Sequence, residues 1–211
     1  MNRDNLYKEG KAMTKKIAII GNGNVGNALA EGLRRGGHEI RFSPKNRQEE
    51  SLREVSVWGD VVILAVPWGA YAEISKTLGN TLNDKVVVDV SNVMTPNMEL
   101  AIGFTTSGAE ELQKMIPKAK VVKAFNTVFS RTMSTGKVLG EQLTVLVAGD
   151  DPDSKATVRK LAEDIGFDSV DAGPLKSARY LESLGMLNIF LGFGQKLGNE
   201  IGFKLVKKAG G

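Results

Sequence analysis

The sequence predicts an α/β protein in which a doubly wound, mostly parallel sheet is followed by a small C-terminal helical part. Three observations carry that prediction. The runs VVILAV (61–66), KVVVDV (85–90), KVVKAF (120–125) and LTVLVAG (143–149) are largely apolar, as strands covered on both faces must be. Amphipathic stretches separate them, the pattern of helical crossovers over a parallel sheet. A first run, KIAII, leads directly into GNGNVG and a helix.

Taken in order, Lys16–Ile20 is a short buried strand. Asn24–Arg35 is a helix with Val25, Ala28, Leu29 and Leu33 on one face, ended by Gly36 and Gly37. Residues 38–42 form strand two. Asp60 opens the third strand, which stops at Pro67, and residues 85–90, 120–125 and 143–149 are the next three. Residues 153–166 form a helix whose acidic start, Asp150, Asp151 and Asp153, suits a positive helix terminus. Residues 167–173 form a last strand, and residues 177 to about 207 are expected to be mostly helical. The expected division is a flexible leader (1–14), a nucleotide-binding domain (15–172) and a helical appendix packed on it (173–211). Met13 is an alternative start to Met1. The polar first twelve residues lack the apolar core of a signal peptide, so the chain reads as cytoplasmic.

Composition excludes several chemistries. The 211 residues contain no cysteine and one histidine, His38, which rules out a thiol nucleophile and a Cys/His zinc site. His38 opens strand two, at the opposite edge from the carboxyl ends where open α/β sheets bind ligands, so it reads as structural or solvent-facing and a Ser-His-Asp triad is excluded. The net charge of +4 is scattered, pointing to no nucleic-acid partner. No apolar stretch approaches the roughly 20 residues of a membrane span.

Gly21, Gly23 and Gly26 follow the first strand at the Gly-x-Gly-x-x-Gly spacing. Gly21 permits a sharp turn, Gly23 lets a pyrophosphate approach the backbone, and Gly26 allows close packing of helix on strand. The N–H groups at the helix start then face the anion. This is a Rossmann-type dinucleotide site. Dinucleotide folds that take NAD usually carry an acidic residue after strand two; here Ser43, Lys45, Asn46 and Arg47 stand instead. Cations and donors suit a 2′-phosphate, which favours NADP over NAD.

Past the other strands come Val66, Pro67 and Trp68, then Ser91 and Asn92, then Phe125, Asn126 and Thr127. These are apolar surfaces with a few hydrogen-bonding groups, and Asp89 is the one well-placed acid. They suit direct hydride transfer between two rings, which needs proximity and water exclusion rather than proton relays. No catalytic acid or base is singled out; Lys123 and Lys176 are chemically capable, but Lys123 is expected inside its strand with its stem packed, or against a phosphate. At the C-terminus, Gly194, Gly198 and Gly202 recur every four residues, as close backbone packing of one helical face would require. Met186, Leu187, Phe190 and Phe193 are expected in the core, and Arg179 and Tyr180 near a cleft.

The segments IAIIGNGNVGNALAEGL, VVILAVPW, VVVDVSN, VVKAFNT, VAGDDPDSKATVRKLAEDIGF and DAGPLKSARYLESL resemble the NADPH:coenzyme F-420 oxidoreductase family, and equally the cytosolic reductase domain of the STEAP metalloreductases. The resemblance runs from Lys16 nearly to the C-terminus. It implies NADP(H) along the glycine loop, hydride exchange with a flavin-like ring, and a homodimer. It also implies that Asn22, Asn24 and Val25 touch the pyrophosphate and that Lys45 faces the 2′-phosphate. Val66, Pro67 and Trp68 would flank the nicotinamide, and Ala124, Phe125, Asn126 and Thr127 the second ring. Two departures leave the acceptor open among deazaflavin (coenzyme F-420), FMN and FAD: no histidine stands in KAFNT, and the transmembrane haem part of the metalloreductases has no counterpart. The competing readings are a dehydrogenase or imine reductase of a small metabolite, and a non-catalytic NADP(H) sensor.

Overall fold

The computed structural model describes residues 14–44 and 48–208. The sheet is built from β1 (Lys16–Ile20), β2 (Glu39–Phe42), β3 (Val61–Leu64), β4 (Val86–Asp89), β5 (Lys120–Lys123), β8 (Thr144–Gly149) and β9 (Asp168–Asp171), in the order β2-β1-β3-β4-β5-β8-β9. All neighbours are parallel except β5 and β8. Between those two, the short helix α5 (Ser130–Met133) and the hairpin of β6 (Lys137–Val138) and β7 (Glu141–Gln142) turn the chain back on itself. The Rossmann-type, mostly parallel sheet read from the apolar runs is therefore the fold observed.

Alternation within the strands builds two cores. Ile17, Ile19, Val61, Ile63, Val88, Val122, Val145 and Val147 face α1 (Asn24–Arg35) and α6 (Pro152–Ile165), meeting Leu29, Leu33, Val158, Leu161 and Ile165. Ala18, Ile20, Val62, Leu64, Val87 and Val121 face the other way. They pack on Leu52 of α2 (Glu49–Trp58), Tyr71, Ile74 and Leu78 of α3 (Tyr71–Leu78), and Leu112 of α4 (Gly108–Met115). Both faces of the strands are buried, which is why no polar alternation marks them.

Caps mark the helices. Asp151 accepts from the Ser154 N–H at 2.8 Å with Pro152 at the first helical position, placing the start of α6 one residue before the sequence reading. Asp150 is outside the helix and accepts from the Leu175 N–H. His38 is buried at the amino edge of the sheet, accepting from the Lys15 N–H and bonded to Asp164, a structural tie as its strand position foretold.

The C-terminus departs from expectation. Helix α7 (Ala178–Ile189) ends in a π turn, Phe190–Gly194, and residues 195–208 contain no helix. Lys196 and Gly198 adopt φ of +61° and +83°, so the chain leaves the helical path there and Gly194, Gly198 and Gly202 share no helical face. The repeated glycines each weaken a helix, and nothing in their spacing compensated. Leu187, Phe190 and Phe193 are 47%, 54% and 56% exposed rather than core, and Met186 is half-buried.

Candidate dinucleotide site

The chain runs from β1 through α1 to β2 on one side, then returns through α2 to β3 on the other. The crevice at that switch point, beyond the carboxyl ends of β1 and β3, is where such sheets bind ligands. A cleft of about 280 Å³ opens there, lined by Gly21, Asn22, Gly23, Ser43, Pro44, Ala65, Val66 and Pro67. Among the described residues, no acidic side chain lines it.

Each glycine has a distinct steric reason. Gly21 has φ +112°, and a Cβ there would stand 2.2 Å from the Ala65 carbonyl oxygen. At Gly26 a Cβ would stand 2.2 Å from the Gly21 carbonyl oxygen and 3.3 Å from Ile19 Cγ2. A Cβ at Gly23 would meet nothing within 4 Å, so the space beside it is open to a ligand. Asn24 and Gly23 are exposed, Asn22 and Val25 half-buried. That open space and the uncapped start of α1 fit a diphosphate.

The remaining residues named from sequence stand in different surroundings. Ser43 is buried, and its Oγ accepts from the Gly21 N–H at 3.2 Å, so it braces the loop from β2. Lys45, Asn46 and Arg47 lie outside the described residues. Pro67 is exposed and Trp68 half-buried, its ring edge-on to Tyr71 with centroids 6.0 Å apart. Ser91, Ala124, Phe125, Asn126 and Thr127 are buried at the ends of β4 and β5 and do not line the cleft. Asn92 is half-buried and donates to the Asn126 carbonyl at 3.0 Å. Phe125 takes φ +63°, a strained conformation for an aromatic, held by burial of its ring against Phe167.

Under these strand ends lies a cluster the sequence did not announce. Lys123 Nζ is fully buried, 3.0 Å from Asp89 Oδ2, 3.0 Å from Glu182 Oε1 and 2.7 Å from the Ser91 carbonyl it donates to. Asp89 also accepts from the Ser91 N–H at 2.8 Å and from the Tyr71 hydroxyl. Burial, and next the Asp89 charge, push the Tyr71 phenol well above its ordinary pKa, so it stays a neutral donor. Glu182 accepts from the Gly108 and Ala109 N–H groups at the start of α4. Lys123 therefore meets no phosphate, and Asp89 is spent on structure rather than free as an acid. The cluster fastens α7, whose Gly185 leaves no room for a Cβ beside Asn92 and Asn126 and whose Asn188 donates to the Thr127 carbonyl. Only the spacing of Glu182, Gly185 and Asn188, three apart on one helical face, hinted at this.

Arg179, expected near a cleft, forks onto Glu110 with bonds of 2.7 and 2.8 Å, tying α7 to α4; Tyr180 is exposed. Hydrogen bonds from Arg179 hold the Glu110 carboxyl below its ordinary range. A depressed carboxylate pKa stabilises the fold fully above about pH 4.5, and that contribution is lost as pH falls through the lowered value. Glu110→Gln is expected to cost about 1–2 kcal/mol at neutral pH and to flatten the acid limb of stability below pH 4.5, read by urea denaturation across pH.

Comparison with known proteins agrees with this geometry. Residues 16–93 match the family described as NADP oxidoreductase coenzyme F420-dependent. The rat protein metalloreductase STEAP3 is 29% identical over 179 residues, covering 80% of this chain but 36% of that protein. The chain thus spans little more than a third of the curated metalloreductases it matches. The F420-dependent NADP reductase of Methanocaldococcus jannaschii is 28% identical over 211 residues, covering 83% of this chain and 92% of the relative. Among solved structures, a putative F420-dependent NADP-reductase from Arthrobacter sp. FB24 superposes with TM-score 0.83 at 27% identity, covering 92% of this chain and all of that one. The likeness read from GNGNVG, AVPW, KAFNT and DAGPL agrees with these matches: the chain has a Rossmann-type fold and is similar to the F420-dependent NADP reductases and to about a third of the length of the STEAP metalloreductases.

Proposed function

We propose that the protein moves a hydride between NADP(H), held along the glycine loop, and a flavin or deazaflavin-type acceptor. The observation that carries this reading is the cleft itself. Among the described residues, its walls offer backbone donors, an asparagine, a serine and apolar side chains, and no acid or base, which fits transfer between two stacked rings. A small-alcohol dehydrogenase would need a proton acceptor there. When bound, the nicotinamide supplies the hydride chemistry; the chain supplies grip, orientation and exclusion of water. On this reading Asn22, Asn24 and Val25 present the loop to the diphosphate. Ser43, Lys45, Asn46 and Arg47 form the 2′-phosphate end, and Val66, Pro67 and Trp68 flank the nicotinamide. The strand ends at Ser91, Asn92 and Ala124 to Thr127 back the acceptor ring.

We assign residues 15–172 to nucleotide binding and residues 173–211 to an appendix packed on it, working as a cytoplasmic homodimer. The half-exposed Leu187, Phe190 and Phe193 on α7 and its π turn support the second copy. Among the described residues no helix is long and apolar enough to cross a membrane.

The test mixes the purified protein with NADPH and follows the nicotinamide absorbance as FMN, FAD and the deazaflavin are added in turn. Rapid oxidation with one of them, and far slower oxidation of NADH, is expected. Lys45→Ala should narrow the NADPH-to-NADH gap. NADPH that binds and stays reduced with every acceptor would point to the sensor reading, and turnover only of hydroxy acids or imines to the dehydrogenase reading. Sedimentation of the same sample reports the dimer.

A further inference from the structure

The glycine loop can be accounted for group by group. The Gly21 N–H donates to Ser43 Oγ. Asn27, on the first turn of α1, donates through Nδ2 to the Asn22 carbonyl at 2.7 Å and to the Gly23 carbonyl at 3.0 Å. The Gly23 carbonyl also accepts from the Asn27 backbone N–H at 3.0 Å. Both carbonyls are thereby turned toward the helix. Among the described residues, the N–H groups of Asn22, Gly23, Asn24 and Val25 have no partner.

A trans peptide is planar, with its C=O and N–H pointing in opposite directions. Fixing the Asn22 carbonyl therefore aims the Gly23 N–H, and fixing the Gly23 carbonyl aims the Asn24 N–H. Both are aimed away from Asn27, on the exposed side of the loop where Gly23 leaves open space. The loop's acceptors are consumed and its donors left free, which is the polarity an anion needs. We propose that Asn27, which touches no ligand itself, is a positioning residue that orients these donors toward the coenzyme's diphosphate. The proposal rests on the dinucleotide reading above.

The experiment measures NADPH binding, steady-state kinetics and inhibition by adenosine 2′-monophosphate, which lacks a diphosphate, for the wild type, Asn27→Ala and Asn27→Asp. Alanine removes the clamp and should raise the NADPH Kd and KM about fivefold with kcat unchanged. Aspartate can only accept, so it repels both carbonyls and the diphosphate, and should weaken NADPH more than about tenfold. An acidic residue near a helix start is tolerated by the fold, so the melting temperature should hold. Inhibition by adenosine 2′-monophosphate should be unaltered in both variants. NADPH affinity within twofold of wild type in both, or a parallel loss of the diphosphate-free inhibitor, would overturn the positioning role. A wild type that binds no NADPH would instead overturn the coenzyme reading beneath it.

Discussion

Lys123→Met is expected to destabilise the protein by about 3–5 kcal/mol, the range for removing one partner from a buried ion pair. The lysine is wholly enclosed with Asp89 and Glu182, each itself fully buried. Methionine fills similar volume but leaves two carboxylates facing each other with no cation, in a place water does not reach. Asp89 retains the Ser91 N–H and the Tyr71 hydroxyl, and Glu182 retains the α4 amides, which offset part of the loss. The loss appears as a lower urea midpoint and a melting temperature lower by about 10 °C. Adding Glu182→Gln should recover part of it, because one unpaired charge is removed; the coupling in that double-mutant cycle should exceed about 1 kcal/mol. A single-variant loss below about 1 kcal/mol would mean that the lysine carries no buried charge pairing. The cluster joins Tyr71, beside Trp68, to α7, so Lys123→Met should also loosen the crevice wall and raise the coenzyme KM.

The second large effect separates the glycines by what each one faces. Gly26→Ala places a methyl 2.2 Å from a backbone oxygen that no side-chain motion can relieve. Alanine is the better helix former, so any loss is steric. Helix and loop must part, and both stability and NADPH binding should fall, the binding by about a hundredfold. Gly23→Ala is the opposite case. Its φ of −76° suits alanine and its Cβ would meet no protein atom. Stability should change by less than about 1 kcal/mol. NADPH binding should still fall about a hundredfold, because the methyl enters the space a diphosphate would take. Calorimetric binding and thermal melts on the two variants check this. Equal NADPH affinity in Gly23→Ala and wild type would remove the anion from that site.

The parts legible in the sequence were those determined locally. Strands such as VVILAV and KVVVDV announce two-sided burial by lacking a polar face, and the glycine loop announces itself because its backbone conformation and close approaches tolerate no side chain at Gly21 and Gly26. The C-terminal helix was legible in its first half and misleading in its second. Amphipathic spacing predicts an apolar face turned inward, whereas α7 buries Glu182, Gly185 and Asn188 beside Ala178 and Leu181, and leaves Leu187 exposed together with Phe190 and Phe193 of the π turn.

Sequence alone thus settled the sheet, its two-faced core and the tight glycine turn after β1, since each depends on residues adjacent along the chain. Three-dimensional packing settled which face of α7 goes inside, the antiparallel join of β5 and β8, and the enclosure of Lys123 between Asp89 and Glu182. The reason is that a polar side chain declares whether it is buried only when its partner is known, and here the partners come from strands and helices as far apart as residues 89 and 182.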